Sequence, residues 1–403
     1  MNIKKKIAII GTVGLPAKYG GFETLANHLV KHLSNKYDLT VYCSKKKYNA
    51  KERVKSFNGA KLKYINLDAN GIQSIAYDTL SILHALFKND VLLILGVAGA
   101  WILPFVKLFT NKKIIISIDG IEWKRAKWNI VAKLYLRWAE KNAVKYSHID
   151  ISDNESIQDY TAMRYGTISR VIEYGADHTL KVIPTSKDFN SYPILKHGYA
   201  FKVCRIEPEN NVHVVLQAFS KTPLKRLVMV GNWDANDYGR KLKKRYSNIP
   251  NITLFDPIYN QRSIDLLRSN AQLYVHGHSA GGTNPSLVEA MYLSLPVISF
   301  GVSYNRTTTE NKAIYFSTED ELITAINKST KSSLDGLSLK MKEIADRRYK
   351  WDLVSKKYGD LFMESLTIKS KLRITPTSNK LKKKYLDSLG VAHLESPKLI
   401  FEK

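Results

Sequence analysis

The chain has 403 residues, is 44% hydrophobic and 24% charged, and carries a formal net charge of +26. This is an ordinary globular composition on a length that fits two domains better than one hydrophobic core. The surplus of positive charge points to an anionic partner, whether nucleic acid, an anionic membrane surface or a phosphorylated substrate. Cys43 and Cys204 are the only cysteines. They stand far apart without a metal spacing, which excludes a disulfide framework and fits a reducing cytosol.

The opening residues Lys4 to Lys6 before an apolar run mimic a signal peptide. The run is short, lacks a cleavage pattern and ends in a Gly loop, so Lys6 to Ile10 is read as the first buried strand. Gly11 to Gly21 is a long Gly-rich loop. Phe22, Leu25, Leu29 and Leu33 then fall at helical spacing. Strand, Gly loop and helix make a Rossmann-like unit, although the spacing is not that of the dinucleotide fingerprint. Glu23 is either a solvated helix-start carboxylate or an acceptor contact. Leu39 to Cys43, Lys61 to Asn66, Asp90 to Leu95, Lys113 to Ile118 and His148 to Ser152 read as strands, with a helix over 71–87 and further helical segments between them. Such alternation predicts a parallel sheet with crossover helices. The longest apolar stretch, 91–106, is shorter than the ~20 residues of a spanning helix. With Gly96, Gly99 and Pro104 inside it, it reads as strand, turn and helix.

Ligands of such sheets sit beyond the carboxyl ends of the strands. That places Asp119 to Trp128 on a binding rim. Indoles there can stack on sugar or isoprenoid, and Lys124, Arg125 and Lys127 can hold a diphosphate. The alternative is a basic amphipathic helix start on the surface. Asp119 is either a proton acceptor or a helix cap, and Asp153 is also placed as a cap. Residues 181–199 read as linker. Strands follow at Tyr199, Leu227 to Gly231 and Ile252 to Phe255.

The stretch His276 to Phe300 carries the chemistry. After a short apolar strand, Ser279 to Pro285 turn through Gly281 and Gly282, which let backbone approach a ligand. A helix then runs from Ser286 to Leu293, with Pro285 suited to its first turn. Thr283 and Asn284 leave free N–H groups at a helix start, a ready phosphate site. Glu289, about one turn in, repels phosphate and suits sugar hydroxyls; the alternative is a Gly-rich turn followed by a surface Glu. His276 and His278 have no carboxylate or Cys at a metal-site spacing, so no metal is implied.

These residues resemble the donor site of glycosyltransferase family 4. Glu289-Ala290-Met291 and Leu295-Pro296-Val297-Ile298 match the second half of its motif, while Gly281 stands where its first Glu falls. The GGTNPSLVEAM form is similar to a subgroup that includes bacterial rhamnosyltransferases of surface polysaccharide assembly. The resemblance implies an α/β GT-B fold: two Rossmann-like domains, over 1–180 and 181–350, facing each other across a cleft. A helix over 351–366 would cross back to the first domain, leaving a basic tail over 367–403. It also implies a donor site of Gly20, Gly21, Arg205, Asn210, Gly281, Gly282, Thr283, Asn284 and Glu289. Asn210 stands where the family has a diphosphate-gripping Lys, so Asn210 or a Lys elsewhere must substitute. Glu289, Asp119 and Arg205 are the expected catalytic residues, and Glu23, Trp123, Lys124 and Arg125 the expected acceptor contacts.

The expected reaction is retaining transfer from a nucleotide-diphosphate sugar, with no cofactor. The resemblance implies dTDP-L-rhamnose as donor and a polyprenyl-diphosphate-linked sugar as acceptor. The expected location is cytoplasmic, peripheral on the inner face of the membrane. Attachment is expected through the Trp123 to Trp128 loop and the basic tail. A same-fold nucleotide-sugar epimerase would share the donor site without needing an acceptor. A nucleic-acid-binding protein accounts for the charge but not for the Gly281 to Glu289 loop, and no such module is visible.

Overall fold

The structure is a computed structural model, described over residues 4–18, 20–118, 120–125, 128–369 and 371. The chain divides into two compact units. One takes the residues up to Glu173 together with the chain from Asp352 on, and the other is Tyr174–Trp351.

The first unit is built on eight strands: β1 (Lys6–Ile10), β2 (Asp38–Ser44), β3 (Ser56–Phe57), β4 (Ala60–Ile65), β5 (Val91–Leu95), β6 (Lys113–Ser117), β7 (Ile149–Ser152) and β8 (Arg170–Val171). Their order is β3-β4-β2-β1-β5-β6-β7-β8, and every pairing is parallel except β3 with β4. All five residues of β5 are buried, as the sequence VLLIL requires of a strand covered on both faces. β3 and β4 are joined by Asn58 and Gly59, both at positive φ, the two-residue turn that matches strand twist. The helix Trp351–Thr367 closes this unit. Tyr37 donates from its hydroxyl to the Gly359 carbonyl at 2.9 Å and meets the Phe362 ring edge-on. Lys357 pairs with Glu173 and Arg170 with Glu364. Lys371, beyond the helix, makes a buried ion pair with Asp150 at 2.8 Å.

The second unit has six parallel strands: β9 (Ala200–Val203), β10 (Leu227–Val230), β11 (Ile252–Phe255), β12 (Leu273–His276), β13 (Val297–Phe300) and β14 (Ile314–Phe316). Their order is β11-β10-β9-β12-β13-β14. Its two chain ends are tied together. The Ala176 N–H donates to the Tyr349 carbonyl at 2.7 Å, and the Trp351 N–H donates to the Asp177 carboxylate at 2.7 Å.

Two sequence readings change. Residues 181–199 are not a plain linker: they hold the helix Ser186–Ser191, started by a capping box of Thr185 and Asp188. Arg262 clamps that Asp188 with two hydrogen bonds of 2.8 Å. The cap after β7 is Asn154 rather than Asp153, since Asn154 accepts from the Ser156 N–H.

Candidate functional site

In an open parallel sheet the crevice lies where the strand order reverses. The second unit reverses between β9 and β12. The loops leaving those two strands are joined directly. Ser279 donates from both its N–H and its hydroxyl to the Glu209 carbonyl, at 2.8 and 2.9 Å. The Asn211 amide donates to the Gly277 carbonyl at 2.9 Å. Gly277 is required here: a Cβ would lie 2.5 Å from the Asn210 carbonyl oxygen and 2.9 Å from Lys202 Nζ.

Lys202, near the end of β9, is fully buried and its ammonium makes no hydrogen bond. Burial therefore pulls its pKa down, against the opposing influence of Cys204. Sequence reading missed this residue. It follows the apolar alternation of a strand, and nothing in the strand pattern marks a lysine as buried. Beside it His276 is fully buried with neither ring nitrogen hydrogen-bonded, and its ring stacks on His278 at 4.3 Å. Burial, then the neighbouring Lys202, holds the His276 pKa well below its usual value. Among the described residues there is no cluster of His, Cys, Asp or Glu arranged to hold a metal.

Arg205 stands exposed on the loop after β9, loosely facing Glu207 at 3.8 Å. Asn210 is buried and donates to the Arg205 carbonyl at 2.7 Å, which shapes this loop rather than offering a charge. Gly281 has a φ of +127°, and open space surrounds the position a Cβ would take. The family carboxylate missing here is thus matched by a backbone that disfavours any side chain. Gly282, Thr283 and Asn284 lead into the helix Pro285–Tyr292, with the Asn284 side chain accepting from the Ser286 N–H at 3.0 Å.

Glu289 sits on that helix with its carboxylate engaged on both sides. Oε2 meets Arg268 at 2.6 Å and Oε1 meets His178 Nε2 at 3.2 Å. Burial pushes its pKa up, but Arg268 and His178 outweigh it and hold the group below its usual value. The Trp351 indole N–H donates to His178 Nδ1 at 3.0 Å, so His178 presents Nε2–H to Glu289.

The first unit reverses between β1 and β5. There Gly11, at a φ of +94°, lies against β5: a Cβ would sit 2.0 Å from the Leu95 carbonyl oxygen. Gly20 caps the helix Gly21–Leu33, and Glu23 folds back beneath it, accepting from the Val13 N–H at 2.6 Å. A Cβ on Gly20 would meet the Glu23 carboxylate at 1.9 Å. Glu23 is buried and closes the Gly11 to Gly20 loop on itself.

The aromatic-basic loop is packed in the same way. The Trp123 indole donates to the Tyr160 hydroxyl at 3.1 Å, with Arg137 and Arg164 over its ring. Arg125 pairs with Glu122 at 2.8 Å, and Trp128 donates to Glu122 at 3.0 Å. Lys124 is exposed. Glu140, beneath, is buried and accepts from Tyr160 and Tyr165. Asp119 lies outside the described residues, as does the chain beyond Lys371.

Comparison with known proteins assigns the class. Residues 185–348 match the family "Glycosyl transferases group 1", and residues 4–177 match "Domain of unknown function (DUF1972)". Together these domains mark the chain as a glycosyltransferase of the GT-B fold. A sucrose-phosphate synthase from Thermosynechococcus elongatus superposes with a TM-score of 0.75 at 15% identity, covering 90% of this chain and 99% of the other. Anabaena Alr3699/HepE in complex with UDP and glucose gives 0.69 at 14% identity, covering 89% and 100%. The catalytic domain of starch synthase IV from Arabidopsis thaliana, bound to ADP and acarbose, gives 0.67 at 12% identity, covering 90% and 99%. No curated protein matches the sequence.

Proposed function

We propose that the protein is a retaining glycosyltransferase that moves L-rhamnose from dTDP-L-rhamnose to a polyprenyl-diphosphate-linked sugar, in the synthesis of a bacterial surface polysaccharide. The single observation that carries the donor half is the buried, unpartnered Lys202 beneath the loops of Arg205 and Gly281 to Asn284. An ammonium taken out of water without an anion loses its proton or finds a partner. A diphosphate at this switch point is such a partner, and Lys202 replaces the cation missing at Asn210.

In the proposed reaction the bond from the anomeric carbon to the β-phosphate oxygen breaks, and one from that carbon to the acceptor oxygen forms on the same face. The leaving diphosphate takes the electron pair. Arg205, Lys202 and the amides of Gly281 to Asn284 stabilise the growing charge, the kind of preorganised electrostatics that dominates such steps. Glu289, fixed by Arg268 and His178, accepts from donor hydroxyls with its remaining lone pairs. Asp119 is the proposed acceptor of the hydroxyl proton. Trp123, Lys124 and Arg125 remain the proposed acceptor contacts, with Lys124 the most available of the three. The acceptor's lipid places the work at the inner membrane face, to which a net charge of +26 adsorbs. Among the described residues no helix is long and apolar enough to cross a membrane.

A thermal-shift panel of nucleotide diphosphates and nucleotide sugars tests the donor, because selective binding stabilises the native state by mass action. Product analysis tests the reaction. Released dTDP with rhamnose on lipid supports the proposal. An epimerised free nucleotide sugar supports the epimerase reading instead, and tight binding to nucleic acid without nucleotide-sugar binding overturns both.

A further inference from the structure

Two neighbouring helices of the first unit are apolar on both sides. The helix Leu103–Phe109 buries Leu103 and Val106, and the helix Ile130–Tyr146 buries Leu136, Ala139, Ala143 and Val144. All six belong to the cluster that covers Ile114 and Ile116 of β6, so both helices lie on one side of the sheet, packed against each other. Their outer sides carry Phe105, Leu108 and Phe109 on one helix and Val131, Leu134 and Trp138 on the other. Leu108, Phe109 and Val131 are 75%, 74% and 72% exposed. Each set follows helical spacing, which marks a second apolar stripe rather than scattered exposure.

The charges on these helices have one sign. Lys107, Arg137, Lys141 and Lys145 are exposed around the stripes, while Glu140, the only acid on either helix, is buried under Tyr160 and Tyr165. A second copy of this face would bring lysines against lysines. The tail from Thr367 is itself basic, so it meets the same repulsion. An anionic bilayer fits both features: its headgroups take the cations, and its acyl boundary takes Phe, Leu and Trp.

We infer that the outer faces of the helices Leu103–Phe109 and Ile130–Tyr146 form a membrane-docking surface for anionic lipid. This inference rests on the reading that the protein works at a membrane, and it moves the contact away from the Trp123 loop, whose indoles are packed inward.

The test is co-sedimentation of the full chain with vesicles of phosphatidylcholine and phosphatidylglycerol in equal parts, at low and high salt. Leu108→Asp combined with Val131→Asp changes only exposed positions, and nucleotide-diphosphate thermal shift confirms that its donor site is intact. A second variant neutralises Lys382, Lys383 and Lys384. The expected result is binding by the wild type and the tail variant, with at least a tenfold loss in the helix variant. Equal binding by the helix variant, with loss in the tail variant, overturns the surface but leaves the membrane reading standing. Failure of the wild type to bind anionic vesicles overturns both. A wild-type dimer that the helix variant abolishes, without vesicle binding, assigns the face to self-association and overturns the inference.

Discussion

The parallel strands of the two sheets run in the same order about their reversal points, and the first sheet adds a strand at each edge, but the residues at those points differ. In the first unit the loop after β1 satisfies itself: Glu23 takes the Val13 N–H, and Tyr77 donates to the Thr12 carbonyl at 2.9 Å. In the second, a buried lysine is left without a hydrogen bond beneath loops that hold an exposed arginine and a glycine at positive φ. Their carboxyls diverge in parallel. Asp78 of the first unit is pushed by burial to a pKa of about 8, against a backbone hydrogen bond from Gly99. Glu289 of the second, flanked by Arg268 and His178, is held below its usual value. Topology supplies a crevice in both units, and the buried Lys202 in the second is what carries the proposal of an anion there.

The largest expected effect tests Glu289. Glu289→Gln keeps the shape and removes the charge, and should lower transfer by about 2–4 kcal/mol of barrier, roughly 30- to 1000-fold. Nucleotide-diphosphate affinity measured on the same protein should stay within a few-fold. Near-wild-type turnover in the folded variant would assign Glu289 to the ion network with Arg268 alone. In stability the sign is fixed by the lowered pKa. The contribution of the Glu289 carboxylate is present above its unfolded value and is lost as pH falls through the folded one. The acid limb of the stability curve should flatten in Glu289→Gln.

Arg205→Ala should cost about 1.5–3 kcal/mol of diphosphate affinity, since a guanidinium grips two phosphate oxygens at once. Isothermal titration with dTDP and UDP measures it, and an unchanged dissociation constant would show that another cation holds the diphosphate. Lys202→Met should lower the same affinity by about tenfold, ~1.4 kcal/mol, while raising the melting temperature of the empty protein. A variant that binds as tightly as wild type erases the distinction between the two reversal points.

The last prediction concerns stability alone and belongs to the first unit. A carboxyl with a raised folded pKa favours the native state fully below its unfolded value, and this contribution is lost as pH rises through the folded one. Between about pH 4 and 8, Asp78 should therefore remove up to ~1.4 kcal/mol of stability per pH unit. Asp78→Asn should flatten that decline in urea unfolding, and an unchanged slope would show that Asp78 ionises freely.

Most strands were legible because parallel strands covered on both faces are short apolar runs, as in VLLIL of β5. β13 begins at Val297, just after Pro296, which has no N–H for the ladder. β3 has only two residues, too few for periodicity, although Asn58-Gly59 is a hairpin signal. Arg205 and the Gly281 to Asn284 loop were legible as motif. Lys202, Arg268 and His178 were not, since their part depends on what folding buries beside them. The Trp123 loop reads in sequence as an exposed aromatic surface, and the fold turns its indoles inward onto Glu122 and Tyr160.

His178 has one further consequence. Its two ring nitrogens face Glu289 on the helix Pro285–Tyr292 and Trp351, the last residue of the second unit. A side chain held at both ends can couple them, and such coupling is reciprocal. If a ligand at Glu289 alters the setting of Trp351, a change at Trp351 alters the affinity for that ligand by the same free energy. Ligand binding at Glu289 is therefore expected to change the fluorescence of the Trp351 indole.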